Sequence, residues 1–209
     1  MRCRVFLILP ALLVAAACDD EPPPLPDPEP DAAPPPGVLA ATQEEFWTNM
    51  QALCGRAFRG SETEAFDDDS DFAGEELIVH FRECSPTEMR IPLHVGENRS
   101  RTWIVTRTPE GLRLKHDHRH EDGTEEDITQ YGGDTVEPGT ATLQEFPMDE
   151  FTRELLPQAP YHVWSMELEP DEHFAYMLTL PESDRRARFE FDLDDPVDPP
   201  PAPWGYEAD

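Results

Sequence analysis

Hydrophobic residues recur at helical spacing at the start of residues 38–194, the part of the chain with a globular pattern. Four apolar residues of this first run fall on one face of a helix: Phe46, Trp47, Met50 and Leu53. Thr42 and Glu45 have the spacing of a capping box, and Gly55 is a residue type that commonly ends a helix. The pattern therefore predicts an N-terminal helix.

Beyond this helix, apolar and polar residues alternate in short runs, which is typical of strands that bury one face. The predicted strands lie at roughly 56–65, 76–84, 88–95, 101–108, 111–121, 124–131, 139–146, 161–169, 172–181 and 185–194. Asp149 is a favourable N-cap, and the residues after it predict one short internal helix over 149–156. The domain is therefore predicted to be mainly β with two helices.

Strands that follow one another through short turns pair in antiparallel fashion, and a long run of them must avoid exposed edges. A closed up-and-down barrel of the calycin-like class, with its flanking helix, meets this requirement most simply. A two-layer β-sandwich is the alternative fold. Either fold places one domain at residues 38–194.

The N-terminus has the features of an export signal, with basic Arg2 and Arg4 before an apolar run that is short for a membrane span. Residues 1–17 are therefore predicted to be a signal peptide. The string LVAAAC, which ends at Cys18, is similar to the lipobox of bacterial lipoproteins. This resemblance implies that Cys18 is lipidated and holds the protein on a membrane, facing the periplasm or the cell exterior, and cleavage by ordinary signal peptidase is the alternative.

Two proline-rich segments flank the predicted domain. Nine prolines within residues 19–37 prevent helix or sheet packing, so residues 18–37 are predicted to be an extended acidic tether. Residues 195–209 have a similar composition and are predicted to be an unstructured tail. The tether would hold the domain away from the membrane.

Cys54 and Cys84 remain after the export signal and the lipidated residue are set aside. If strands 56–65 and 76–84 form a hairpin, these two cysteines lie opposite each other at its open end. An oxidising compartment favours a disulfide between them, and two buried thiols are the alternative.

Acidic residues outnumber basic residues by 45 to 16, which gives the chain a formal net charge of −29. A surface of this sign repels the phosphate backbone of nucleic acids. Nucleic-acid binding is therefore excluded as a function, although the charge does not point to any particular activity.

Three histidines stand at alternate positions in the string LKHDHRH, so they share one face of the predicted strand 111–121. With a two-residue turn at Asp122 and Gly123, the next strand would place a partner opposite each inward side chain. The predicted pairs are His120 with Glu125, His118 with Asp127, His116 with Thr129, and Leu114 with Tyr131. Imidazoles and carboxylates would then meet near the mouth of the barrel.

This cluster supports four interpretations. A divalent transition metal such as zinc would be held by His116, His118, Glu125 and Asp127. A small polar ligand would be bound by His116, His118, His120 and Tyr131. A histidine beside a carboxylate could act as a general base, although no serine or cysteine nucleophile motif accompanies it. The fourth interpretation is a hydrated barrel rim. The single histidines His80, His94, His162 and His173 are interpreted as structural or surface residues.

The strings LCGRAFRG, RIPLHVGENRSRTWIVTRT, GLRLKHDHRHEDGTEEDITQYGGDT and GTATLQEFPMDEFT resemble a family of uncharacterised exported bacterial proteins. The likeness covers about residues 46–194 and implies an exported β-rich domain without a known activity. The sequence thus predicts a lipid-anchored envelope protein whose barrel binds a small ligand or a metal. The alternatives are a structural envelope protein that binds a protein partner, and an enzyme with a histidine base or a metal.

Overall fold

The computed structural model describes residues 38–66 and 70–206. The predicted signal peptide (1–17), the lipidation of Cys18 and the tether (18–37) lie outside the described residues and remain predictions. Within the part that is described, no helix combines the length and the hydrophobicity needed to cross a membrane.

Two helices and eleven strands follow one another along the described chain. They are α1 (Ala41–Ala52), β1 (Ala57–Glu64), β2 (Leu77–His80), β3 (Glu83–Cys84), β4 (Glu88–Val95), β5 (Asn98–Thr108), β6 (Gly111–His118), β7 (Tyr131–Asp134), β8 (Leu143–Pro147), α2 (Glu150–Leu155), β9 (Val163–Glu169), β10 (His173–Leu180) and β11 (Arg185–Val197).

All these strands belong to one antiparallel sheet with the order β7-β6-β5-β4-β2-β1-β11-β10-β9-β8, and β3 pairs with the edge of β4. Because β1 pairs with both β2 and β11, the first and last strands are neighbours and the sheet curls into a nearly closed barrel. The predicted mainly β, antiparallel barrel with two helices is confirmed. The sandwich alternative is wrong, since the strands do not divide into two sheets.

The remaining gap in the barrel lies between β7 and β8, and α2 fills it. Asp149 caps α2 by accepting a hydrogen bond from the Thr152 amide at 2.8 Å, as predicted for this residue. The Thr152 hydroxyl accepts from the Gly132 amide at 2.7 Å and donates to the Gly132 carbonyl at 3.0 Å. These bonds satisfy the peptide groups of an edge strand that lacks a second strand partner.

Helix α1 lies at the end of the barrel where β6 begins. Its buried side includes Phe46, Trp47 and Met50. Gln43 donates a hydrogen bond to the Thr135 hydroxyl at 3.0 Å, beside the turn before Gly111. The N-cap is Ala40 rather than the predicted Thr42, whose hydroxyl instead donates to the Pro138 carbonyl at 2.9 Å. The helix itself is where the apolar spacing predicted it.

The predicted disulfide is confirmed. Cys54 and Cys84 are bonded, with their Cα atoms 6.2 Å apart. The bond joins the turn after α1 to the short strand β3, next to the predicted hairpin of β1 and β2. It therefore fixes the helix to the sheet.

The prediction that residues 195–209 form an unstructured tail is wrong for residues 195–206, and residues 207–209 lie outside the described part. Strand β11 continues to Val197, and residues 198–206, here named the C-terminal strap, pack against the outer face of the barrel. The Trp204 amide donates to the Arg99 carbonyl at 3.1 Å, and Arg99 donates to the Ala202 carbonyl at 2.9 Å. The proline-rich composition did not reveal these contacts.

Candidate functional site

A cavity of about 580 Å³ lies in the half of the barrel away from α1. It adjoins the last residues of β6 and the first residue of β7, whereas α1 lies where β6 begins. Seven aromatic side chains form much of its wall: Phe66, Phe72, Trp103, Tyr131, Trp164, Tyr176 and Phe189. Ile128, which is 48% exposed, also lines the cavity, so the cavity reaches the surface.

Two of the three clustered histidines line this cavity. His116 and His118 lie on the inner face of β6, as the alternation of that strand predicts, and Tyr131 lies directly across from His116. His120 is exposed, lies beyond the end of β6 and is not part of the cavity wall, so its predicted ligand-binding role is not supported by its position.

The predicted cross-strand partners of the histidines are wrong. Arg119, not His120, forms a bridge with Glu125, and His116 pairs with Tyr131 rather than with Thr129. Residues 120–130 form an irregular segment, in which the Thr129 hydroxyl accepts the hydrogen bond of the His118 amide at 2.8 Å. Within this segment, Glu125 forms a single bridge with Arg119, and the ladder of paired residues predicted after a two-residue turn is not formed.

This change of register separates the four residues predicted to hold a metal. Glu125 is exposed and lies 3.6 Å from the Arg119 guanidinium, and Asp127 is also exposed. Among residues 38–66 and 70–206, no group of three or more His, Cys, Asp or Glu side chains is arranged to hold a metal ion. The geometry therefore does not bring Glu125 or Asp127 to the histidines.

His116 is buried, and both of its ring nitrogens are engaged. Burial lowers the pKa of His116 to about 3, so the ring is neutral near pH 7. Since the Tyr131 carbonyl can only accept, Nδ1–H donates to it at 3.0 Å and Nε2 accepts from the Tyr176 hydroxyl at 2.6 Å. The ring also stacks on Tyr131, with centroids 4.4 Å apart. His116 thus holds two tyrosines in position and has no lone pair left for a metal.

His118 is less constrained than His116. Its Nε2 lies 3.1 Å from the Tyr131 hydroxyl, while its Nδ1 is 3.9 Å from a Glu126 carboxylate oxygen, beyond hydrogen-bonding distance. Burial, with a smaller contribution from the charge of Arg101, lowers the pKa of His118 to about 4. Burial also raises the pKa of Tyr131 to about 12. Both side chains are therefore neutral hydrogen-bonding groups at the cavity.

Arg101 is a cavity residue that sequence analysis did not identify. It lies opposite His118 on the neighbouring strand β5, and its guanidinium is 5.3 Å from the Phe72 ring centroid. Its one side-chain hydrogen bond within the described chain is to the Ser100 hydroxyl at 3.3 Å, and no carboxylate of those residues is within ion-pairing distance. The sequence feature that could have identified Arg101 as a cavity residue is its inward position in β5, two residues before Trp103.

His162 also lines the cavity, so its interpretation as a structural or surface residue was incomplete. Its ring lies 5.5 Å from that of Trp164, and burial lowers its pKa. Within the described chain, its Nδ1 is buried without a hydrogen-bond partner. A buried polar atom of this kind is costly unless another molecule completes its hydrogen bonds.

The arrangement suits the binding of a small molecule better than covalent catalysis. The wall is mostly apolar, with both aromatic and aliphatic side chains, and hydrogen-bonding groups stand within it, which is the usual composition of a ligand pocket. His118 lacks a carboxylate hydrogen bond of the kind that orients a general base. Comparison of the chain with protein-family models, with curated proteins and with solved structures finds no match. The fold and the cavity are therefore the grounds for a functional proposal.

Proposed function

We propose that the protein is a lipid-anchored envelope protein whose calycin-like barrel binds a small organic molecule. The cavity carries this proposal. Its volume of about 580 Å³ lies within the range of small-molecule sites, and its wall combines aromatic rings with a few polar groups. A barrel that served only as a structural support would be expected to fill this space with side chains.

Two polar groups in the cavity have interactions that a bound ligand could complete. Arg101 has no carboxylate partner among the described residues, and the buried Nδ1 of His162 has no hydrogen-bond partner there. Groups in this state are stabilised when another molecule supplies the missing interaction. A ligand that fills the cavity would reach both side chains, since both line it.

The envelope location rests on three features. The lipobox-like string at Cys18 and the proline-rich segment after it are those of an anchored exported protein. The Cys54–Cys84 disulfide is typical of an oxidising compartment outside the cytoplasm. Expression with labelled palmitate tests the anchor: Cys18→Ser should lose the label and leave the membrane fraction.

A cavity-filling substitution tests ligand binding. Ala187 is buried and lines the cavity, so Ala187→Phe should occupy the space without removing a hydrogen bond. The full chain, carrying Cys18→Ser for solubility, should bind the neutral polarity-sensitive dye Nile red, and Ala187→Phe should abolish this binding. Ala73→Phe, at an exposed residue that does not line the cavity, is the matched control and should bind normally.

The result also separates ligand binding from a role in binding a protein partner. If the dye binds Ala187→Phe as well as it binds the parent chain, the cavity is not the binding site and the proposal is wrong. A partner-binding role would leave Ala187→Phe fully functional in the envelope, because the substituted side chain lies inside the barrel.

A further inference from the structure

We propose that the ligand of the cavity is an apolar molecule with one carboxylate group, and that Arg101 binds this carboxylate. This inference rests on the proposed ligand-binding function and extends it to a chemical class. The carboxylate would lie between Arg101 and His118, and the apolar part would contact the aromatic wall.

Arg101 differs from most arginines of the described chain because it has no carboxylate partner among the described residues. Most arginines of the described chain have a carboxylate partner, for example Arg113 with Asp134 and Arg188 with Glu167. Arg101 lies in a cavity instead, next to the Phe72 ring and the Ser100 hydroxyl. A planar guanidinium binds a carboxylate through two parallel hydrogen bonds, so a ligand carboxylate is its complementary partner.

Tyr131 and His118, which lie near Arg101, together provide one further hydrogen-bond donor. The Tyr131 hydroxyl and His118 Nε2 share one hydrogen bond of 3.1 Å, and both groups are neutral. If His118 carries its hydrogen on Nε2, it donates to the Tyr131 oxygen, and the Tyr131 hydroxyl hydrogen is left free. If the Tyr131 hydroxyl donates to Nε2, His118 carries its hydrogen on Nδ1, and that N–H is left free. Either arrangement leaves one donor for an acceptor in the cavity. A carboxylate oxygen is such an acceptor, whereas an ammonium group is not.

The cavity wall also contains acidic residues, which limit the negative charge that a ligand can carry. Glu62 and Glu126 also line the cavity. Glu62 already accepts a hydrogen bond from Ser70 at 2.9 Å, and Glu126 lies on the Nδ1 side of His118 at 3.9 Å. These two charges, with a chain charge of −29, disfavour a doubly charged phosphate much more than a single carboxylate. The charge balance therefore favours a monoanion over a dianion.

The aromatic wall identifies the rest of the ligand as apolar. The Trp103 and Tyr176 rings stack with centroids 4.3 Å apart, and Trp164 lies 5.8 Å from Tyr131. Leu93 and Leu178 add aliphatic surface. Burial of a ring or a hydrocarbon chain against these groups would supply most of the binding energy, while Arg101 would select the charged end.

Four probes with the same apolar part test the proposal: naphthoate, naphthylmethanol, naphthylmethylamine and naphthyl phosphate. Each is titrated against the Nile red complex of the full chain carrying Cys18→Ser. Naphthoate should bind roughly tenfold to a hundredfold tighter than the neutral alcohol, because its hydrogen bonds are charge-assisted. Arg101→Gln should lower naphthoate affinity to that of the alcohol and leave the alcohol unchanged. Arg113→Gln, on the outer face of β6, is the charge-matched control and should change neither affinity.

The outcomes separate the two proposals. If Nile red binds the parent chain but not Ala187→Phe, the cavity is a binding site. The carboxylate proposal is then overturned if the alcohol, the amine or the phosphate displaces the dye as well as naphthoate does, or if no probe displaces it. Failure of the dye to bind the parent chain overturns the proposed function itself. The comparison of probes on the parent chain decides the matter even if Arg101→Gln does not fold.

Discussion

The C-terminal strap provides a sharp test of the structure, because one hydroxyl group connects it to a buried carboxylate. Asp117 is 1% exposed and lies on the outer face of β6. The Tyr206 hydroxyl donates to an Asp117 oxygen at 2.5 Å and accepts from the Arg90 guanidinium at 2.8 Å. Arg119 and Gln130 also donate to Asp117, each at 3.0 Å. Tyr206→Phe removes the hydroxyl alone and keeps the ring.

The expected cost follows from these bonds. A hydrogen bond to a charged group contributes about 1.5–3 kcal/mol, and Tyr206→Phe removes two of them. Asp117 keeps the bonds from Arg119 and Gln130, so the free energy of unfolding should fall by about 2 kcal/mol rather than by the sum. For a domain of this size, that loss lowers Tm by about 4–8 °C.

Urea denaturation followed by tryptophan fluorescence measures this change, with Tyr161→Phe as the matched control. The Tyr161 ring contacts Arg153, and its hydroxyl has no hydrogen bond to another described residue, so its loss should cost less than about 0.5 kcal/mol. A double-mutant cycle of Tyr206→Phe with Asp117→Asn should give a coupling above about 0.5 kcal/mol. If the coupling is smaller, or if Tyr206→Phe is as stable as the control, the strap does not hold Asp117 as described.

Three further predictions concern the stability of the barrel. Replacement of Cys54 and Cys84 by Ser should cost about 3.5 kcal/mol, because the disulfide closes a loop with a sequence separation of 30, and Tm of the parent chain with and without reductant measures the same effect. Gly133→Ala should lower Tm by several degrees in a thermal melt, since the added Cβ would overlap the Pro147 carbonyl where β7 passes β8; an unchanged Tm would contradict the near closure. The folded-state pKa of His116, about 3, lies below its unfolded value, so its contribution to stability is present above about pH 6.5 and is lost as the pH falls toward 3. His116→Gln should therefore reduce the slope of unfolding free energy against pH between about 5 and 6 by up to about 1.4 kcal/mol per pH unit, and an unchanged slope in urea titrations would refute this.

The fold could be predicted because its signals are local. Alternation along β5 and β6 gives both the strands and their inner faces, and the strands of the β1–β2 hairpin bring Cys54 and Cys84 together. Helix α2 begins after Asp149, and an aspartate at this position caps a helix through a local hydrogen bond that needs no distant residue. These features depend on spacing between neighbouring residues, which the sequence contains directly.

The partners of the histidines could not be predicted in the same way. A turn does form at Gly123, whose amide bonds to the His120 carbonyl at 2.9 Å, but the bridge pairs Arg119 with Glu125. This is one residue away from the predicted register, and such a shift moves the side chains next to the bridge to the other face. Gln130, with φ of 58°, adopts a left-handed backbone conformation immediately before β7. A residue other than glycine gives no sequence signal for that conformation.

Arg101 and the strap were missed for a different reason, which is that their surroundings come from distant parts of the chain. Arg101 has an inward position in β5 that alternation predicts, but its neighbours His118 and Phe72 come from β6 and from the segment after β1. The site that holds Tyr206 includes Arg82, Arg90 and Arg119 as well as Asp117, and these residues come from separate segments of the chain. Only the folded barrel brings these residues together.

The two faces of β6 are each held by hydrogen bonds to other parts of the chain. On the outer face, Asp117 is held by the strap and by residues 119–130, and on the inner face, His116 is held by Tyr131 and Tyr176. Because adjacent residues are fixed on opposite sides, β6 has little freedom to move, and His118 stays next to Arg101. A site positioned in this way loses little conformational entropy when a ligand binds. If the cavity binds the proposed ligand, the aromatic wall and the guanidinium can therefore contribute most of their interaction energy to affinity.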